Sequence, residues 1–107
     1  MRDPQMMIAL LKEMESTPDG QLIIGPVTFG MSIDKRKKRH QLELLEDEGL
    51  AFWESESIVR ITSDGYEALH ALRQRPDYLK TVIEWVKNGK TIAEAINALA
   101  KATGHLP

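Results

Sequence analysis

The chain has 107 residues, 42% hydrophobic and 28% charged. This composition supports one domain with a small core and argues against disorder. Cysteine is absent, which excludes disulfide frameworks, thiolate metal sites and cysteine nucleophiles together. No apolar run approaches the ~18 residues of a membrane span, and Met1-Arg2-Asp3-Pro4 lacks the hydrophobic stretch of a signal peptide, so the expected location is the cytoplasm, away from membranes.

Asp3-Pro4 predicts a helix start, a capping carboxylate followed by proline, and Met7, Leu10, Leu11 and Met14 recur at helical spacing to about Ser16. Pro18-Asp19-Gly20 carries turn chemistry. Leu22-Ile23-Ile24 then reads as a short strand stopped by Gly25-Pro26, and Val27-Thr28-Phe29 as an extended piece or a single turn. Ser32 caps the next helix, which runs to Glu48 before Gly49 ends it. At 100° per residue, Lys38, Gln41, Leu42 and Leu45 fall on one side, and Arg36, Arg39, His40, Glu43 and Asp47 on the other.

Leu50–Trp53 and Ile58–Ile61 predict two strands joined by the polar Glu54-Ser55-Glu56-Ser57, the length of a hairpin loop. Thr62 or Ser63 caps a further helix ending near Arg75, with Tyr66, Leu69 and Leu72 as its buried stripe and Gly65 permitting close backbone approach. Pro76 opens another helix on Leu79, Val82, Ile83 and Val86, up to Asn88-Gly89. Thr91 and Glu94 form a capping box for a last helix with Ile92, Ile96 and Leu99 on one face, closed by Gly104.

The most informative segment is Lys35-Arg36-Lys37-Lys38-Arg39-His40. The net charge is −2, so subtracting these five fixed cations leaves −7 on the rest of the chain. Cations at a helix start oppose the helix dipole and cost stability. The placement makes sense if an external anion meets the helix there, and a nucleic-acid phosphate is the commonest such anion. Lys35, Arg36, Lys37 and Arg39 are the candidate phosphate contacts, with Arg36, Arg39 and His40 able to reach base edges. The bland reading is a solvated helix face with Arg39 and Glu43 paired at i, i+4. Two observations oppose DNA: the sequence pI is about 5.9, and Glu54 and Glu56 make the hairpin tip acidic.

Helix, strand, basic helix, hairpin, helix is the order of a winged helix-turn-helix domain, in which the helix before the hairpin is the recognition helix. At residue level, Arg2-Asp3, Leu42-Glu43-Leu44-Leu45, Gly49-Leu50, Ile61 to Leu69 and Arg73 carry a resemblance over roughly residues 2–103. The chain resembles an uncharacterised, largely bacterial and prophage-associated winged-helix family, a domain of unknown function. Gln41 stands where such sequences often carry histidine, and Lys38 where a buried aliphatic is usual. The resemblance implies an α+β fold and DNA-binding ancestry.

The reading is therefore a winged-helix core over residues 1–75, with a short or missing second helix, and a C-terminal helical extension over 76–107 that packs on the core or forms a dimer. The expected function is regulatory binding of double-stranded DNA, as in transcription regulation. The alternative is an adaptor that keeps the shape and binds a protein partner. Trp53 and Trp85 are the candidate interface residues. Phe52 and Trp53 are neighbours on one strand, so one points inward and the other outward, to be covered by a helix from 76–103 or by a partner. The three histidines, His40, His70 and His105, show no metal or triad spacing, so neither an enzyme nor a cofactor is expected.

Overall fold

A computed structural model describes residues 1–25 and 30–103, with side chains described as far as residue 102. The expectations for Val27–Phe29 and for Gly104 lie outside these. Among the described residues the fold is a small α+β domain of five helices and one three-stranded antiparallel sheet. The order is α1 (Pro4–Glu15), β1 (Gln21–Ile23), α2 (Ile33–Asp47), β2 (Ala51–Trp53), β3 (Ile58–Ile61), α3 (Ser63–Gln74), α4 (Tyr78–Lys87) and α5 (Ile92–Thr103).

Local chemistry explains most boundaries. The Asp3 carboxylate accepts the Met6 N–H at 3.1 Å, the Ser32 hydroxyl accepts the Lys35 N–H at 3.2 Å, and the Thr62 hydroxyl accepts the Gly65 N–H at 3.1 Å. At the start of α5 the capping box closes both ways: Thr91 N–H to Glu94 Oε1 at 3.0 Å, Glu94 N–H to Thr91 Oγ1 at 3.1 Å. One start differs from expectation. Pro76 lies outside α4, which begins at Tyr78. The Tyr78 N–H donates to the Arg75 carbonyl at 2.9 Å and the Leu79 N–H to the Pro76 carbonyl at 3.2 Å, so the proline sits in an i→i+3 turn that leads into the helix.

The strands stand in the order β1-β3-β2, so the first strand crosses to the far side of the hairpin. Leu22 pairs with Val59 and Trp53 pairs with Val59, which puts these three on the core face. Gln21, Arg60 and Phe52 form the matching row on the outer face.

A single cluster of buried side chains runs through all layers. Met7, Leu11 and Met14 of α1 meet Leu42 and Leu45 of α2, Val59 of β3 and Leu69 of α3. Val82 and Val86 of α4 and Ile92 and Ala95 of α5 belong to the same cluster, each with no solvent exposure. The extension therefore packs on the core. Tyr66 corrects the expected stripe of α3: it is 41% exposed, while Gly65, Ala68, Leu69 and Leu72 are buried. The helix turns its glycine inward because a Cβ at 65 would sit 2.3 Å from the Leu50 carbonyl oxygen, a contact only glycine escapes.

Candidate functional site

Helix α2 rests on the core through Leu42 and Leu45, which are fully buried, and through the buried amide of Gln41. Gln41 is satisfied at both ends: its Oε1 accepts the Asp3 N–H at 2.8 Å and its Nε2 donates to the Met1 carbonyl at 2.8 Å. A buried amide is tolerated only when paired in this way. The N-terminal residues are thereby laid along α2, and the opposite face of the helix, with Arg36, His40, Glu43 and Asp47, is exposed.

The cations of the basic run meet different fates. Lys35 and Arg36 are exposed, and neither side chain makes a hydrogen bond or ion pair among the described residues. Lys37 is exposed too, but its ammonium lies 3.1 Å from Asp3 Oδ2. That carboxyl is held below the usual range, first by the Met6 N–H it caps and then by Lys37. Lys38, half-buried at the core edge, reaches Glu13 of α1 at 3.5 Å. His40 is exposed, with Nδ1 3.9 Å from Glu43 and Nε2 3.3 Å from the Met1 nitrogen.

Arg39 is the departure from the helical-wheel expectation. It is half-buried, its guanidinium stands over the Trp53 ring at 4.5 Å from the centroid, and it donates a long 3.4 Å bond to the Gly25 carbonyl. The outward direction that the wheel assigns holds for the backbone, but a long flexible side chain bends to the nearest aromatic face. The expected Arg39–Glu43 pair is replaced by the His40–Glu43 contact.

Trp53 and Phe52 divide as alternation requires. Phe52 is the outward one, 41% exposed, and Trp53 faces the core. Arg39 lies over the Trp53 ring, and the outward residue, Phe52, for which the sequence suggests a covering helix from residues 76–103, keeps 41% exposure. Trp85 is half-buried and packs against the core cluster. Neither tryptophan is among the exposed large apolar residues, which among the described residues are Met1, Ile23, Ile33, Phe52 and Tyr66. Sequence reasoning missed Ile23, which follows from strand alternation once the register is known.

The hairpin tip is also less acidic than its composition. Glu54 folds back onto the sheet, where Arg60 Nε lies 3.2 Å away and the Gln21 amide donates to the same oxygen. Glu56 remains exposed. Elsewhere, an open apolar groove of about 310 Å³ lies between α1, α3 and α4, lined by Ile8, Leu69, Leu72 and Leu79 with Lys12 at its rim. No group of three or more His, Asp or Glu residues converges on a metal position among the described residues. No helix there is long and apolar enough to cross a membrane. No protein-family profile matches the chain, and neither a curated protein nor a solved structure matches it.

Proposed function

We propose that the protein is a winged-helix DNA-binding protein with a regulatory role, in which α2 is the recognition helix and the β2–β3 hairpin the wing. The observation that carries this reading is the pair Lys35 and Arg36, exposed on the first turns of α2 with no partner among the described residues. The element order supports it, as does a three-stranded antiparallel sheet in which β1 joins the far side of the hairpin. Neutralisation of Glu54 by Arg60 removes one of the two charges that would repel a phosphate from the wing.

In this reading Lys35, Arg36 and Lys37 take phosphates, and Arg36 and His40 reach base edges in the major groove of a duplex. Lys37 would exchange Asp3 for a phosphate, which an exposed ion pair worth at most about 1 kcal/mol permits. Changing Lys35 and Arg36 together to alanine is expected to abolish duplex binding by fluorescence anisotropy. The melting temperature is expected not to fall, because neither side chain makes a hydrogen bond or ion pair among the described residues and their removal relieves the opposition to the helix dipole. Undiminished affinity in the double variant sinks the assignment.

One observation favours the rival, an adaptor for an acidic protein partner. Lys37, Lys38 and Arg39 are engaged within the chain, which leaves a smaller free charge than the run implies. Salt separates the two readings. Phosphate contacts give a slope of log affinity against log salt near −0.9 for each one made. A flat response would favour the adaptor.

A further inference from the structure

Two side chains of α2 meet the hairpin at Trp53. Glu46 of α2 accepts the Trp53 backbone N–H at 2.9 Å, and Arg39, on the same helix, covers the ring at 4.5 Å while reaching the Gly25 carbonyl. The indole nitrogen itself is buried with no hydrogen-bond partner, so the ring is held by stacking and packing rather than by its polar atom. Two residues of α2 therefore fasten one residue of β2, and Arg39 joins the chain just after β1 and the end of β2 to the helix that bears Lys35 and Arg36.

We infer that Arg39 is a positioning residue for nucleic-acid binding, locking helix and hairpin into one rigid reading head, and that it stays on Trp53 when a duplex binds. The inference rests on the DNA-binding reading. The physical reason is that leaving for a phosphate or a base edge would forfeit both the contact with the Trp53 ring and the bond to the Gly25 carbonyl. Held there, it fixes the angle at which the first turns of α2 leave the hairpin, and a small error in that angle weakens the contacts those turns make with the duplex without removing any of them.

The test compares Arg39→Gln with the wild-type protein on a DNA duplex across a salt series, alongside the proton spectrum of the wild-type complex. Arg39→Gln is expected to weaken binding about three- to tenfold, on the scale of one stacked cation. The salt slope is expected to be unchanged. In the wild-type protein, the upfield ring-current shift of the Arg39 side-chain protons persists from free to bound. A slope shallower by about 0.9, or loss of the ring-current shift on binding, overturns the inference by making Arg39 a phosphate contact. Unchanged affinity in Arg39→Gln overturns it as well. Should that variant fail to fold, the ring-current comparison in the wild-type protein decides. A wild-type chain that binds no duplex fails at the first measurement, and that failure belongs to the DNA-binding reading.

Discussion

The Glu48 carboxylate accepts the Ile92 backbone N–H at 2.9 Å, tying the end of α2 to the first turn of α5. Its other oxygen lies 3.3 Å from Arg2 Nε, and its side chain is 1% exposed. One acidic residue thus holds the N-terminal segment, the basic helix and the extension together. Glu48→Ala would leave the Ile92 N–H without its acceptor, a cost of about 1–3 kcal/mol. Urea denaturation of the two proteins at one pH measures it, and a difference near zero would mean that water replaces the carboxylate.

The same residue sets a pH dependence. Burial is the largest influence on Glu48 and raises its pKa above 4.5, against the Ile92 and Arg2 contacts that lower it. The folded protein then binds its proton more tightly than the unfolded chain, so the contribution of Glu48 is most favourable below 4.5 and declines as pH rises through the raised value. Asp3 and Glu15 behave oppositely. Their pKa values are lowered, chiefly by the Met6 N–H and by Arg73 respectively, so their stabilisation is present above the ordinary carboxylate range and fades as the medium is acidified. Comparing Glu48→Gln with wild type from pH 4.5 upward isolates the first effect: the stability of wild type relative to the variant should fall as pH rises. A gap that widens instead would show the Arg2 charge outweighing burial.

Gly65→Ala should destabilise the protein although alanine is the better helix former by about 1 kcal/mol. The new Cβ would meet the Leu50 carbonyl oxygen at 2.3 Å and Ile61 Cγ1 at 2.6 Å. That carbonyl already accepts the Thr62 N–H at 3.0 Å and cannot retreat cheaply. Overpacking of this kind costs about 1–3 kcal/mol, which exceeds the propensity gain. A thermal melt decides, and an unchanged midpoint would mean that α3 slides off the hairpin freely.

Ile92→Ala tests whether the extension is part of the core. Ile92 is fully buried in the cluster that also holds Met7, Leu42 and Leu69, so its truncation should cost about 2–5 kcal/mol and lower the whole unfolding transition. Two separate transitions, with only the later residues responding, would contradict a shared core.

Glu56→Lys probes the wing. Both carboxylates of the hairpin loop are exposed, but Glu54 is paired with Arg60, whereas Glu56 has no ion pair among the described residues. In the DNA-binding reading the substitution should tighten duplex affinity and steepen the salt slope by about 0.9 for the contact it adds. No change in either quantity places the hairpin tip away from the duplex.

The order of elements was legible in the residues themselves, because caps and periodicity act over three or four positions. Asp3-Pro4, Ser32, Thr62 and the Thr91–Glu94 box each name a helix start within reach of their own side chains. Pro76 misled by two residues because the turn it opens bonds i→i+3, ahead of the α-helical ladder. Tyr66 misled because its helix had to present Gly65 to the Leu50 carbonyl, a demand made by another element.

The partner of each cation was decided by the tertiary structure alone. Asp3 for Lys37, Glu13 for Lys38 and Trp53 for Arg39 lie on other segments, and a helical wheel assigns each side chain a direction without saying what waits there. Charge composition could establish that the basic run exists. Only the packing of α1 and β2 against α2 could separate Lys35 and Arg36, which face outward unengaged among the described residues, from the neighbours the fold keeps for itself.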